Sequence, residues 1–137
     1  MYNNIKKIGK FRSGLEKKIA DELKKLKVKF RYEQDKIRYH KPVSYHTYLP
    51  DFVLPNGIIV EAKGRFTSPD RKKHLLLKQQ YPNLDIRFVF SNSASKLSKT
   101  SKTTYGSWCD KHGFMYADKL VPKEWAKEKK KGKGNRL

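Results

Sequence analysis

The sequence predicts a mixed α/β domain, and three observations carry that prediction. Leu15, Ile19, Leu23 and Leu26 recur at helical spacing behind Ser13. Two short apolar runs, 52–54 and 58–60, flank a Pro-Asn-Gly turn and read as the arms of a β-hairpin. A second helix opens near Ser68, and a short apolar run at 86–90 reads as a buried strand. The chain has 137 residues, the length of one domain with one modest core.

Each element has its local reason. Residues 1–12 carry Lys6, Lys7, Lys10 and Arg12 among small and polar residues and read as a flexible basic arm. Ser13-Gly14-Leu15-Glu16 fits a capping box, with Glu16 reaching back to the cap, which gives Glu16 a structural role. Residues 28–32 alternate apolar and polar and suggest a strand, and 34–39 suggest another. Pro42 makes 41–46 a poor helix and a poor central strand, so an extended bridge is expected there between 13–40 and 47–125.

Beyond the hairpin, Ser68 is the expected cap of a helix with Pro69 in its first turn, ending near Gln80 before Pro82. Leu75, Leu76 and Leu77 give it a core face, while Arg71, Lys72, Lys73 and His74 crowd its first turns. Residues 91–104, with Lys96, Lys99 and Lys102, read as a mobile basic loop. A short helix over 105–112 ends at Gly113, a last strand follows at 114–116, and 122–125 cap the domain. Residues 126–137 read as a disordered basic tail.

The candidate chemistry sits on the hairpin. Asp51 lies at the mouth of its first strand, Glu61 and Lys63 at the far end of the second, and a hairpin brings those ends together. Residues two apart on a strand point the same way, so Glu61 and Lys63 share a face. Hard divalent cations take carboxylate oxygens, and magnesium commonly binds through one or two carboxylates plus substrate phosphate. An adjacent lysine orients a water or offsets charge developing on phosphate. The plain structural alternative is a solvent-facing Glu-x-Lys beside a turn-opening Asp.

Composition narrows the partner. Lys and Arg number 33 against 13 Asp and Glu, a formal charge of +20, which favours a polyanion, nucleic acid first. No 18-residue apolar run offers a membrane span, and the N-terminal residues lack the apolar centre of a signal peptide. A single cysteine, Cys109, fits a reducing compartment, and a cytoplasmic location is expected. Cys109-x-x-His112 is half a zinc spacing with no second pair. Trp108, Tyr116 and Trp125 read as core residues.

Several motifs in order carry a resemblance. Phe11-Arg12-Ser13-Gly14-Leu15-Glu16, His46-Thr47-Tyr48-Leu49-Pro50-Asp51-Phe52, Val60-Glu61-Ala62-Lys63-Gly64 and Asp70-Arg71-Lys72-Lys73-His74-Leu75-Leu76 resemble the phage endonuclease I family of Holliday-junction-resolving enzymes. The similarity continues through Tyr105-Gly106, Lys111-His112-Gly113, Ala117-Asp118-Lys119-Leu120 and Glu124-Trp125, while the tail and the bridge around Tyr45 depart from the pattern. The resemblance implies a restriction-endonuclease-like core, a homodimer exchanging segments through the bridge, and cleavage of branched DNA, four-way junctions above all, with magnesium or manganese. It implies a catalytic set of Glu16, Asp51, Glu61 and Lys63, Glu16 coming from the other chain, with Asp51 and Glu61 as metal ligands. Lys6, Lys7, Lys10, Arg12, Arg71, Lys72, Lys73, His74, Lys96, Lys99 and Lys102 are the expected DNA contacts. Two other functions compete: a nuclease of the same core with another DNA substrate, and a basic nucleic-acid-binding protein without chemistry.

Overall fold

A five-stranded mixed sheet forms the centre of the domain, with helices on both faces. The computed structural model describes residues 11–41 and 44–131. Lys6, Lys7, Lys10, Pro42, Val43 and the tail from 132 onward lie outside the described residues. The elements run α1 (Gly14–Lys25), β1 (Arg31–Tyr32), β2 (Ile37–Lys41), β3 (Ser44–Tyr48), β4 (Phe52–Val53), β5 (Ile59–Lys63), α2 (Ser68–Gln80), β6 (Ile86–Phe90), α3 (Tyr105–His112), β7 (Tyr116–Asp118) and α4 (Lys123–Lys127). The sheet order is β1-β4-β5-β6-β7. The β1–β4 and β4–β5 pairs are antiparallel, and β5–β6 and β6–β7 are parallel.

Strand alternation divides the core in two. Phe52, Leu54, Val60 and Val89 face Ile19, Ala20 and Leu23 of α1 together with Val121 and Trp125. Val53, Ile59, Ile86, Phe88 and Phe90 face Leu77 of α2 and Trp108 and Cys109 of α3. Every residue of β6 is buried, as a strand covered on both faces must be.

The hairpin forms as its turn residues dictate. Gly57 takes a positive φ of 91°, Gly57 N–H donates to Leu54 O at 2.9 Å, and Asn56 Oδ1 accepts from Ile58 N–H. Phe52 then faces Val60, and Val53 faces Ile59. Gly113 ends α3 in the left-handed region, as expected.

Several boundaries move, each for a local reason. Thr67, not Ser68, caps α2, because Asp70 completes a reciprocal capping box with Thr67. Residues 28–30 are not strand: Lys27 turns left-handed and Val28 N–H closes onto Leu23 O, finishing α1 first. The second predicted strand lies at Ile37–Lys41 rather than 34–39. The last strand starts at Tyr116, since Phe114 N–H is held by Cys109 O at the end of α3. The 91–104 loop carries its own bonds, Leu97 N–H to Thr103 O and Tyr105 N–H to Ser95 O, and Ser93 is held by the Asp118 carboxylate.

Around the expected bridge, Lys41 and 44–46 are extended, and within the chain they belong to one antiparallel pair of strands. Ile37 through Lys41 form an antiparallel ladder with Tyr48 back to Ser44, apart from the main sheet.

The start of the expected tail is docked. Arg87, only 2% exposed, holds Asp85 and Glu128 through paired hydrogen bonds, and its guanidinium lies over the Trp125 ring. Removing one partner of such a group leaves the others unpaired in a poorly solvated place. Arg87→Leu should therefore destabilise the fold by about 3 kcal/mol, the low end for a buried ion group because both carboxylates keep some water contact. Urea unfolding followed by circular dichroism measures it, and a change under about 0.5 kcal/mol would show Arg87 to be dispensable.

Candidate functional site

The hairpin register sets Asp51 and Glu61 opposite one another, one step beyond the Phe52–Val60 pair. Their side chains take over the bonding where the ladder stops. Asp51 N–H donates to Glu61 Oε2 at 2.9 Å, and Ala62 N–H donates to Asp51 Oδ2 at 2.9 Å. The Tyr48 hydroxyl, at the end of β3, also donates to Glu61 Oε2, at 2.6 Å. Glu16, on the first turn of α1, approaches from the other face. Its Oε1 accepts from Arg12 N–H at 2.9 Å and from the Tyr32 hydroxyl at 2.8 Å. Ser13 Oγ accepts from Glu16 N–H, so Glu16 keeps half of the expected capping box and turns its carboxylate to Arg12 and Tyr32.

Glu16, Asp51 and Glu61 are all buried, at 5%, 7% and 2% exposure. Each has one oxygen fixed by neutral donors and one left over. Neutral donors orient a carboxylate without cancelling its charge. Burial drives the Asp51 carboxyl well above its ordinary pKa, and the neighbouring Glu61 and Glu16 charges push it the same way. Burial likewise raises Glu61, against the opposing pull of Lys63 and the Tyr48 hydroxyl. Burial also keeps Tyr48 protonated and donating. The cluster is short of positive charge.

Lys63 lies beside the carboxylates, its Nζ 4.0 Å from Glu61 Oε1 and 3.4 Å from Asp70 Oδ1. Burial pushes the Asp70 carboxyl up, but Lys63 and the Thr67 hydrogen bonds outweigh it and hold it below its ordinary range. Asp70 thus braces Lys63 from behind and caps α2 with the same carboxylate.

Among the described residues, ligand atoms of Glu16, Glu33 and Asp51 lie within 4.8 Å of one another. Glu33 sits at a left-handed turn after β1, with φ 50°, and its Oε2 is held by Arg12 Nη1 at 3.0 Å. The sequence reading missed Glu33, Tyr32, Tyr48 and Asp70. This all-oxygen set, with Glu16 and Asp51 buried and Glu33 half-buried, suits a hard divalent cation, and magnesium fits that donor chemistry.

The expected catalytic residues thus meet within one chain, Glu16 included. The expected DNA contacts divide. Lys72, Lys96, Lys99 and Lys102 are exposed. Arg12 is exposed but paired with Glu33, Arg71 donates to Phe66 O, and Lys73 Nζ lies over the Tyr48 ring. His74 corrects the expectation of a surface contact. It is fully enclosed on the inner side of α2, three residues before Leu77 on the same helical face, and burial holds it neutral.

Acidic side chains gathered at the end of a mixed sheet, a lysine two residues along the same strand, and helices on both faces are the framework of a nuclease core. A family profile described as phage endonuclease I matches residues 1–135, and the chain belongs to that family. It is 58% identical over 127 residues, 93% of this chain and 85% of the other, to Endonuclease I of Escherichia phage T7. It is 57% identical over 121 residues, 88% and 80% of the two chains, to Endodeoxyribonuclease 1 of Enterobacteria phage T3.

Like charges held out of water weaken the metal-free fold. Asp51→Asn keeps an oxygen for Ala62 N–H and removes one charge. In chelator it should raise the melting midpoint by a few degrees, about 1 kcal/mol for a domain of this size. Calorimetry of both proteins without divalent ions checks this, and a lower midpoint in the variant would contradict the strain.

Proposed function

We propose that the chain is a divalent-cation-dependent endodeoxyribonuclease that cleaves branched DNA, four-way junctions foremost, by phosphodiester hydrolysis. One observation carries this reading: three buried carboxylates, each with one anchored and one spare oxygen, beside a braced lysine. A basic binding protein without chemistry has no use for such a costly cluster.

Asp51 and Glu61 hold the ion, magnesium or manganese in its place, with Glu16 completing the site. When bound, the ion lowers the pKa of water and offsets charge on phosphate oxygens. Tyr48, Ala62 and Asp51 N–H keep the two carboxylates oriented throughout. Lys63, held by Asp70, orients the attacking water or stabilises charge building on the phosphate. Exposed Lys72, Lys96, Lys99 and Lys102 track the DNA backbone, which carries no sequence information. Branch preference then comes from shape, set by two copies held at a fixed angle in a homodimer. The enzyme works where phage DNA is processed, in the host cytoplasm.

The dimer exchanges residues 13–40 through the bridge at 41–46. In the single chain these reach the rest through the β2–β3 ladder, whose innermost pair is Lys41 and Ser44. Opened into one continuous strand, that ladder would carry Glu16, Ile19, Ala20 and Leu23 to a second copy, where they meet the same partners.

Asp51→Asn and Glu61→Gln should each reduce cleavage by about a hundredfold or more while junction binding survives. The assay is a panel of linear, nicked, forked and four-way DNA in magnesium. Near-wild-type cutting by either variant refutes the metal-site assignment, and equal cutting of all four substrates refutes the branch preference.

Mixing Glu16→Ala with Glu61→Ala protein tests the exchange. In an exchanged heterodimer one site carries both lesions and the other neither, so nicking of one strand returns. If each site lies within one chain, every site is damaged. Continued inactivity, with subunit exchange verified by a fluorescent label, rules out the exchanged dimer.

A further inference from the structure

His74 is fully enclosed, yet neither of its ring nitrogens has a hydrogen-bond partner among the described residues. The rings of Tyr48, Phe88 and Phe114 surround it edge-on, at centroid distances of 5.5, 4.8 and 6.5 Å. Leucine or phenylalanine would suit such a cage, and an unpaired buried polar group costs about 1–3 kcal/mol. A histidine there needs a reason. Its Nε2 lies 3.8 Å from Glu61 Oε1. That oxygen is the one left over, since the Tyr48 hydroxyl and Asp51 N–H both use Oε2. Direct contact with DNA is excluded by the burial.

We propose that His74 is a positioning residue for Glu61, its Nε2–H aiming Oε1 toward the bound cation. The pair stands apart in this structure, beyond hydrogen-bond length, and a shift of under about 1 Å in the Glu61 carboxylate closes it. The terminal torsion of a glutamate is soft enough to allow that shift. Donors behind a ligating carboxylate fix its orientation, and losing one typically weakens metal binding about 10- to 100-fold. Lys63 flanks the same oxygen, at 4.0 Å. Oε1 is therefore guided by one charged and one neutral group, while Oε2 is tied to the fold. This inference rests on the reading of Glu61 as a metal ligand.

The test is calorimetric titration of manganese into the DNA-free full chain, comparing wild type, His74→Leu and His74→Gln, with melting midpoints measured in parallel. His74→Leu should bind manganese about 10-fold more weakly, and His74→Gln, which keeps an N–H donor, should stay within about threefold of wild type. Junction binding in chelator should be the same for all three. Equal manganese affinity in wild type and His74→Leu overturns the inference alone. A wild type that binds no manganese overturns the metal-site reading as well, so the two failures are distinct. A His74→Gln protein that melts like wild type but binds as weakly as His74→Leu also overturns it. One measurement needs no variant: nitrogen-15 correlation spectra of the wild-type imidazole should show the proton on Nε2, and a proton on Nδ1 overturns the proposal.

Discussion

Asp51 and Glu61 fasten to one another through backbone amides, each carboxylate accepting a hydrogen bond from an N–H of the opposite strand. The β4–β5 ladder ends at Phe52 and Val60, and the next pair replaces carbonyl acceptors with side-chain oxygens. The site's geometry is therefore the hairpin's register. A slip of one residue would turn Glu61 and Lys63 away from α2 and toward α1. Everything else in the site is placed relative to this clasp. α1 leans Glu16 over one side of the sheet, α2 covers the other, and Tyr48 closes the edge.

The same clasp explains the electrostatic contrast in the molecule. A chain of formal charge +20 spends three of its few acids on one dry spot. The cations around it are mostly exposed, where solvent screens them. Lys63, by contrast, is largely shielded, and Asp70 draws part of its charge away from the cluster. An incoming phosphodiester adds further negative charge, so substrate and carboxylates repel unless a cation lies between them.

The hairpin and its acids were legible because their cause is local: the turn residues fix the pairing, and the two-residue strand period fixes which side chains meet. The α1 stripe and the Gly113 stop were legible for the same reason. Glu16 read as the capping-box partner of Ser13 from spacing alone, and only the resemblance gave it a second task. Glu33, Tyr32 and Tyr48 reach the site through contacts with distant segments, and no periodicity marks them. His74 was hidden by its company. Arg71, Lys72 and Lys73 make the segment read as a basic surface, while the three-residue step to Leu77 places His74 on the buried face. Thr67 was overlooked beside Ser68, although three residues on from Thr67 stands Asp70, whereas three residues on from Ser68 stands Arg71. The ladder between β2 and β3 spans the segment that Pro42 made look unpaired.

The outer covering of α1 comes from the far end of the chain. Val121 N–H donates to Glu22 Oε1, Trp125 packs in the same core as Ile19 and Leu23, and Asn56 is bonded to the carbonyls of Trp125 and Glu128. Residues 121–128 therefore seal both α1 and the hairpin turn. Without them Glu16 would stand on a half-covered helix and the turn would lose its anchor. A polypeptide cut short before residue 121 keeps every acidic group of the candidate site and loses the packing that holds α1 in place.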